Sequence, residues 1–259
     1  MRIRLNLSYD GADFRGWQIQ PDVRTVQGEI EKALQSFYGG QQIRIQGSGR
    51  TDTGVHAIGQ VAHYDTDIKR EEQKIVRGLN SLLPDSIHIW RARQVEDRFH
   101  SRFDAFERTY CYRLLNRYDI FENKIGWTLP KDFDAEIAIE ASKELLGVRD
   151  FRNLSTQPEP DESTICDLKM ISWRKTDNGY LVFVVANRFL RRMVRTIIGT
   201  LVDLGSGRYK QSDFKTIFSK DFRKAGVPAP AQGLALLRVK YIVDDEGDCP
   251  TPSPWGEVS

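Results

Sequence analysis

The apolar period of this chain switches repeatedly between two residues and about 3.6, and that alternation of strand and helix signatures restricts it to mixed folds. Arg2 to Tyr9 alternates from its first residues (Arg2, Ile3, Arg4, Leu5, Asn6, Leu7), which reads as a half-buried strand rather than the apolar core of a signal peptide. After a polar, Gly-containing loop, Thr25 to Tyr38 carries Val26, Ile30, Ala33, Leu34 and Phe37 on one helical face, and Gly39 and Gly40 stop it. The same reading gives strands at Ile43 to Gln46, Gln60 to Tyr64 and Ile87 to Arg93, with a helix at Lys69 to Leu83. A comparable series then recurs. Strands are predicted at Thr109 to Asn116, Lys169 to Lys175, Gly179 to Ala186 and Gly233 to Tyr241, and helices at Ala135 to Leu145, Arg188 to Leu204 and Gln211 to Phe218.

This order predicts an α+β protein, helices flanking a mainly antiparallel sheet, in two halves at 1–104 and 105–245. Residues 246–259, with Pro250, Pro252 and Pro254 and no periodicity, are expected to be a disordered acidic tail. The longest apolar run, Leu181 to Ala186, is far below the roughly 18 residues of a membrane span, so a soluble protein is expected. Three scattered cysteines (Cys111, Cys166, Cys249) suggest neither a disulfide framework nor a zinc site, and fit a reducing cytoplasm. The net charge of +2 conceals an asymmetry. Asp244 to Ser259 holds five acidic residues and no Lys or Arg, leaving 38 cations against 31 acids in the body, an excess suited to phosphates.

Three segments could carry chemistry. In Gly47-Ser48-Gly49-Arg50-Thr51-Asp52-Thr53-Gly54-Val55-His56-Ala57, the glycines permit a sharp turn close to a ligand, and Arg50 and Asp52 put opposite charges on one loop. A plain hairpin turn accounts for the same residues, while a phosphate-binding P-loop lacks its Gly-Lys-Ser/Thr ending. Between Arg98 and Arg117, five arginines interleave with Phe99, His100, Phe103, Tyr110 and Tyr112, as suits a flipped or single-stranded nucleotide. The simpler reading of Tyr110 is a core aromatic. In the predicted helix from Arg188, the residues Arg188, Arg192 and Arg195 would share one face, where like charges repel and call for an external anion or a carboxylate such as Asp52.

These motifs, with Tyr9-Asp10-Gly11, Phe14-Arg15-Gly16-Trp17-Gln18, Arg108-Thr109-Tyr110-Cys111-Tyr112, Phe189-Leu190-Arg191-Arg192-Met193-Val194-Arg195 and Ala229-Pro230-Ala231-Gln232-Gly233-Leu234, resemble the TruA-type tRNA pseudouridine synthases along almost the whole chain. The resemblance implies two ferredoxin-like (RRM-like) halves forming a central antiparallel sheet with an active-site cleft between them. It also implies a cytoplasmic homodimer that binds the anticodon arm of tRNA and isomerises uridines on the 3′ side of that stem-loop. By motif, Asp52 resembles the catalytic aspartate, Tyr110 the active-site tyrosine and Arg195 the arginine paired with the aspartate. Arg50 resembles the residue that displaces the target base, and Thr51, His56, Tyr112, Arg188, Arg191 and Arg192 join it as candidate substrate-binding residues. Arg191, Arg192 and Ser101 depart from the commoner family residues.

The reaction detaches uracil from C1′, turns it, joins C5 to C1′ and removes the C5 proton, with no redox change or group donor and hence no cofactor or metal. A carboxylate serves either as nucleophile or as base, and sequence does not choose between them. An adjacent arginine lowers an aspartate pKa by roughly 1 to 3 units, a reason to pair Asp52 with Arg195. Two rival readings stand beside this one: a metal-dependent nuclease using Asp52, His56, His63 and Asp65 or Asp67, and a non-enzymatic RNA-binding module.

Overall fold

The computed structural model describes residues 1–156, 163–219, 225–242 and 254–256. In chain order its elements are β1 (Arg2–Tyr9), α1 (Val26–Phe37), β2 (Gln46–Gly47), β3 (His56–Asp65), α2 (Glu72–Asn80), β4 (Ile87–Val95), β5 (Ala105–Leu115), β6 (Trp127–Thr128), α3 (Ala135–Lys143), β7 (Gly147–Asp150), β8 (Ile165–Thr176), β9 (Gly179–Ala186), α4 (Met193–Gly205), α5 (Gln211–Phe214) and β10 (Leu234–Tyr241). They form two compact units, one of Met1–Phe106 with Ala235–Glu257 and one of Glu107–Leu234. Gly233 to Tyr241, read above as part of the second half, thus lies with the first unit from Ala235 onward. No helix among the described residues is long and apolar enough to cross a membrane.

The first unit is built on the strand order β4-β1-β3-β10, with β2 beside β3. Strand β1 runs antiparallel to both β3 and β4, whereas β10 joins β3 in parallel at Ala235 opposite His56 and Leu236 opposite Ala57. Gly59 permits this approach, since a Cβ there would stand 2.1 Å from the Leu237 carbonyl oxygen. The half-buried strand expected at Arg2 to Tyr9 is covered on both faces. Ile3, Leu5 and Leu7 are buried, but so are Arg4 and Asn6. The Arg4 guanidinium lies 4.8 Å from the Tyr241 ring and 5.7 Å from that of Phe99, so stacking on aromatic faces lets a cation occupy what alternation marks as the wet side. Helix α1 starts where the Thr25 hydroxyl accepts the Gly28 N–H. It buries Val26, Ile30, Ala33 and Leu34, and full burial of a Val, Ile or Leu side chain contributes roughly 1.5–3 kcal/mol.

In the second unit the order is β5-β9-β8-β7, all antiparallel, with β6 added in parallel to β5. Helix α4 is the core of this unit. Ile197, Ile198, Leu201 and Val202 have no exposed surface, and Gly199 lets the chain pass so near that a Cβ would meet the Val227 carbonyl oxygen at 1.9 Å. An apolar surface that extends round the whole helix suits a buried one.

This helix begins at Met193, not at Arg188. Asn187 ends β9 with its side-chain oxygen accepting the N–H groups of Asp167 and Arg188, and Arg192 sits in the left-handed region at φ 60°. The expected row of Arg188, Arg192 and Arg195 on one helical face therefore does not exist. Helices α2 and α5 are shorter than their periodicity suggested, β3 begins four residues before Gln60, and of Ile43 to Gln46 only Gln46 is in a strand. The short strands β6 and β7 were not anticipated.

His63, buried in β3, holds Ser101 in place: the Ser101 N–H donates to its Nδ1 at 3.2 Å, while the Ser101 hydroxyl donates to the Gln46 carbonyl at 2.7 Å. Accepting that N–H requires an unprotonated Nδ1. Burial, with smaller contributions from Arg2 and His100, pushes the imidazole down from 6.5 to about 4. The unfolded chain binds this proton first, so the stabilisation is present above pH 6.5 and is lost as pH falls through about 4. Urea midpoints are expected to fall across that window in the native protein. In His63→Asn, whose amide oxygen keeps an acceptor without titrating, part of that fall is expected to disappear.

Candidate active site

The glycine-rich segment folds as a turn clamped by its surroundings. Ser48 pairs by its N–H with the Val61 carbonyl at 2.7 Å, and its hydroxyl donates to the side-chain oxygen of Gln60 at 2.7 Å. The Gln60 amide nitrogen donates to the Gly49 carbonyl at 3.0 Å. Thr51 is buried, its hydroxyl 2.8 Å from the Tyr9 hydroxyl and its carbonyl accepting the Trp17 N–H at 3.1 Å. Burial pushes the Tyr9 phenol up to about 12, so it stays protonated. Two glycines are needed for this packing. A Cβ on Gly47 would lie 2.6 Å from the Trp17 ring, and Gly16, at φ 93°, would collide with the Thr51 carbonyl oxygen.

Asp52 opens the bend. Its carbonyl accepts the Val55 N–H at 3.1 Å, and Gly54 takes the positive φ of 78° that the third position of such a turn favours. The two neighbours that bracket the bend, Thr51 and Val55, are buried, whereas Asp52 is half-buried and Arg50 exposed. A carboxylate is thereby presented from a backbone fixed on both sides.

His56 faces inward at the start of β3. Its Nδ1 lies 3.0 Å from an Asp10 carboxylate oxygen and 3.2 Å from the Gly11 N–H. The His56 contact, aided by the Ala12 N–H, holds Asp10 below the usual carboxylate range. The Asp10–His56 pair was not singled out in the sequence; the polar Asp10-Gly11 step directly after an apolar strand was the available signal. His56 and His63, candidates for a metal set with Asp52, are engaged in these separate bonds, and no group of three His, Cys, Asp or Glu suited to a metal occurs among the described residues.

In the second unit, Tyr110 is 9% exposed and meets Phe189 edge to face at 5.1 Å. Tyr112, two residues on, is wholly buried. Its hydroxyl donates to the Pro230 carbonyl at 2.7 Å, its ring fills the space beside Gly233, and burial raises its pKa well above that of a free phenol. It offers no surface to a substrate. Arg195, in the first turn of α4, donates through Nε to the Ala229 carbonyl at 2.7 Å, and its own carbonyl accepts the Ala229 N–H at 2.9 Å. Its position is thus tied to the segment after Val227. Arg191 and Arg192 are exposed and Arg188 half-buried.

Most of the expected tail lies outside the described residues. Within it, Pro254 to Gly256 are described, and Trp255 is 3% exposed with its ring centroid 5.1 Å from that of His56.

The sequence profile described as tRNA pseudouridine synthase matches residues 7–104 and 141–242. The tRNA pseudouridine synthase A of Bacillus licheniformis is 40% identical over 245 residues, covering 93% of this chain and 99% of that protein. The corresponding protein of Oceanobacillus iheyensis is 38% identical (93% and 96% covered), and that of Chlorobium luteolum 38% identical (95% and 97% covered). This likeness places the chain among isomerases that act on tRNA. It belongs to the tRNA pseudouridine synthase family.

The clamp around Asp52 has a direct test. In Gln60→Leu the hydrogen bonds to the Gly49 carbonyl and from the Ser48 hydroxyl are lost, at roughly 0.5–1.5 kcal/mol each. Urea unfolding is expected to register that loss, and turnover is expected to fall further than the loss of folded protein explains.

Proposed function

We propose that this protein isomerises uridine to pseudouridine on the 3′ side of the tRNA anticodon stem-loop, with Asp52 as the catalytic carboxylate. The observation that carries this reading is the presentation of Asp52, half-buried, from a turn whose flanking residues Thr51 and Val55 are buried. Fixing a reacting group before substrate arrives removes entropy from the barrier. Tyr110, held edge-on by Phe189, is the ring assigned to the detached uracil, and Arg195, tethered through Ala229, is the cation assigned to Asp52. Both assignments rest on motif resemblance.

Arg50, Arg191 and Arg192, all exposed, are assigned to phosphates of the RNA. Arg192 adds a further reason. A non-glycine residue with positive φ is uncommon and strained, and such conformations concentrate at functional sites. Flipping a stacked base costs a few kcal/mol, which phosphate contacts offset. The two units are read as the two ferredoxin-like halves of the family, in a cytoplasmic homodimer.

Tritium release from C5-labelled uridine in unmodified tRNA, measured in chelator, tests the chemistry. Release is expected from the native protein, with none from Asp52→Ala although tRNA still binds; turnover that survives the substitution overturns the assignment. Chelator-sensitive RNA cleavage would favour the nuclease instead. The assigned arginines predict a steep loss of tRNA affinity with salt, and the slope of log K against log salt should shrink by about 0.7–0.9 for each phosphate that is no longer neutralised. A slope unchanged in the double variant Arg191→Ala, Arg192→Ala would remove those two residues from the RNA-binding surface.

A further inference from the structure

Trp255 stands apart from the family core. The family profile ends at residue 242, yet Trp255 is buried to 3% exposure against His56, which immediately follows the Asp52–Val55 bend. The two rings are tilted by 43° at 5.1 Å, an ordinary aromatic contact. The imidazole beneath is incompletely served. Its Nδ1 is engaged by Asp10 and Gly11, but its Nε2 is buried with no hydrogen-bond partner among the described residues. A buried polar atom left in this way favours any ligand that brings it a partner. A nucleotide does, since it combines a flat ring with polar edges and phosphate oxygens. The segment that supplies Trp255 also has the charge of such a ligand, with five acidic residues and no Lys or Arg from Asp244 to Ser259.

We propose that Trp255 is a built-in competitor for RNA, seated on His56 and displaced when tRNA binds. This rests on the reading that the Asp52–His56 turn faces RNA. The contact leaves Nε2 unsatisfied, so a substrate that brings that atom a partner competes with Trp255 for the same ring. The consequence lies in KM rather than in kcat, since the competitor has left by the time the chemical step begins.

Two measurements on the full chain test this. With unmodified tRNA, Trp255→Ala is expected to lower KM about 3- to 10-fold with kcat unchanged. In protein labelled with 5-fluorotryptophan, the Trp255 resonance, assigned by its loss in Trp255→Phe, is expected to move to a solvent-exposed shift when tRNA is added; this second measurement stands even if Trp255→Ala does not fold. An unmoved resonance with tRNA bound overturns the proposal, as does a fall in kcat at constant KM, which would make Trp255 a support for His56. Asp52→Ala is run in parallel. Turnover that survives it defeats the reading of the site itself, whereas normal dependence on Asp52 with an unmoved Trp255 resonance defeats the competitor alone.

Discussion

The buried amide of Gln60 is the interaction on which the candidate site depends. From one position in β3 it accepts the Ser48 hydroxyl and donates to the Gly49 carbonyl, joining a segment with few side chains of its own to a strand that is buried along nearly all its length. A glycine-rich turn would otherwise sample many conformations, because its residues lose the most entropy on folding. With the amide in place, the remaining fixings follow: the Thr51 hydroxyl reaches Tyr9, the Thr51 carbonyl reaches Trp17, and Gly47 lies close against the Trp17 indole. The charged residues Arg50 and Asp52 then project from a frame made almost wholly of neutral hydrogen bonds, so the frame itself does not titrate in the neutral range.

Tyr110, a candidate site residue, and Tyr112, a packing residue, are separated by little in sequence or in burial. Both belong to β5 and lie on the same face by alternation. The difference comes from what each ring meets. Tyr112 finds the bare backbone of Gly233 and the carbonyl of Pro230, which together absorb its ring and its hydroxyl. Tyr110 finds the edge of Phe189 and retains some exposure.

Most of the elements were legible because their periodicity is strong: β1, α1, β4 and β9 fall where alternation or helical spacing puts them. The turn that presents Asp52 was legible as a turn from its glycines. What escaped the sequence was decided by distant partners or by backbone conformation. Helical spacing from Arg188 to Arg195 suggested a charged face, but periodicity cannot register the left-handed Arg192 or the Asn187 side chain that ends the preceding strand. Arg4 looked solvated because its aromatic partners, Phe99 and Tyr241, lie far along the chain. The same holds for Trp255, whose place on His56 no local pattern announces.

The parallel pairing of β10 with β3 has a consequence for the order of folding. The first unit is discontinuous: a ribosome that has synthesised residues up to Phe106 has supplied β1 to β4, but the strand that completes this sheet is made only after the whole second unit. Until then the edge of β3 beside His56 lacks its neighbour, and an open strand edge invites pairing with other chains. The glycine-rich turn next to that edge therefore reaches its final surroundings late in synthesis, and the long sequence separation between β3 and β10 makes their closure a slow, entropically costly step.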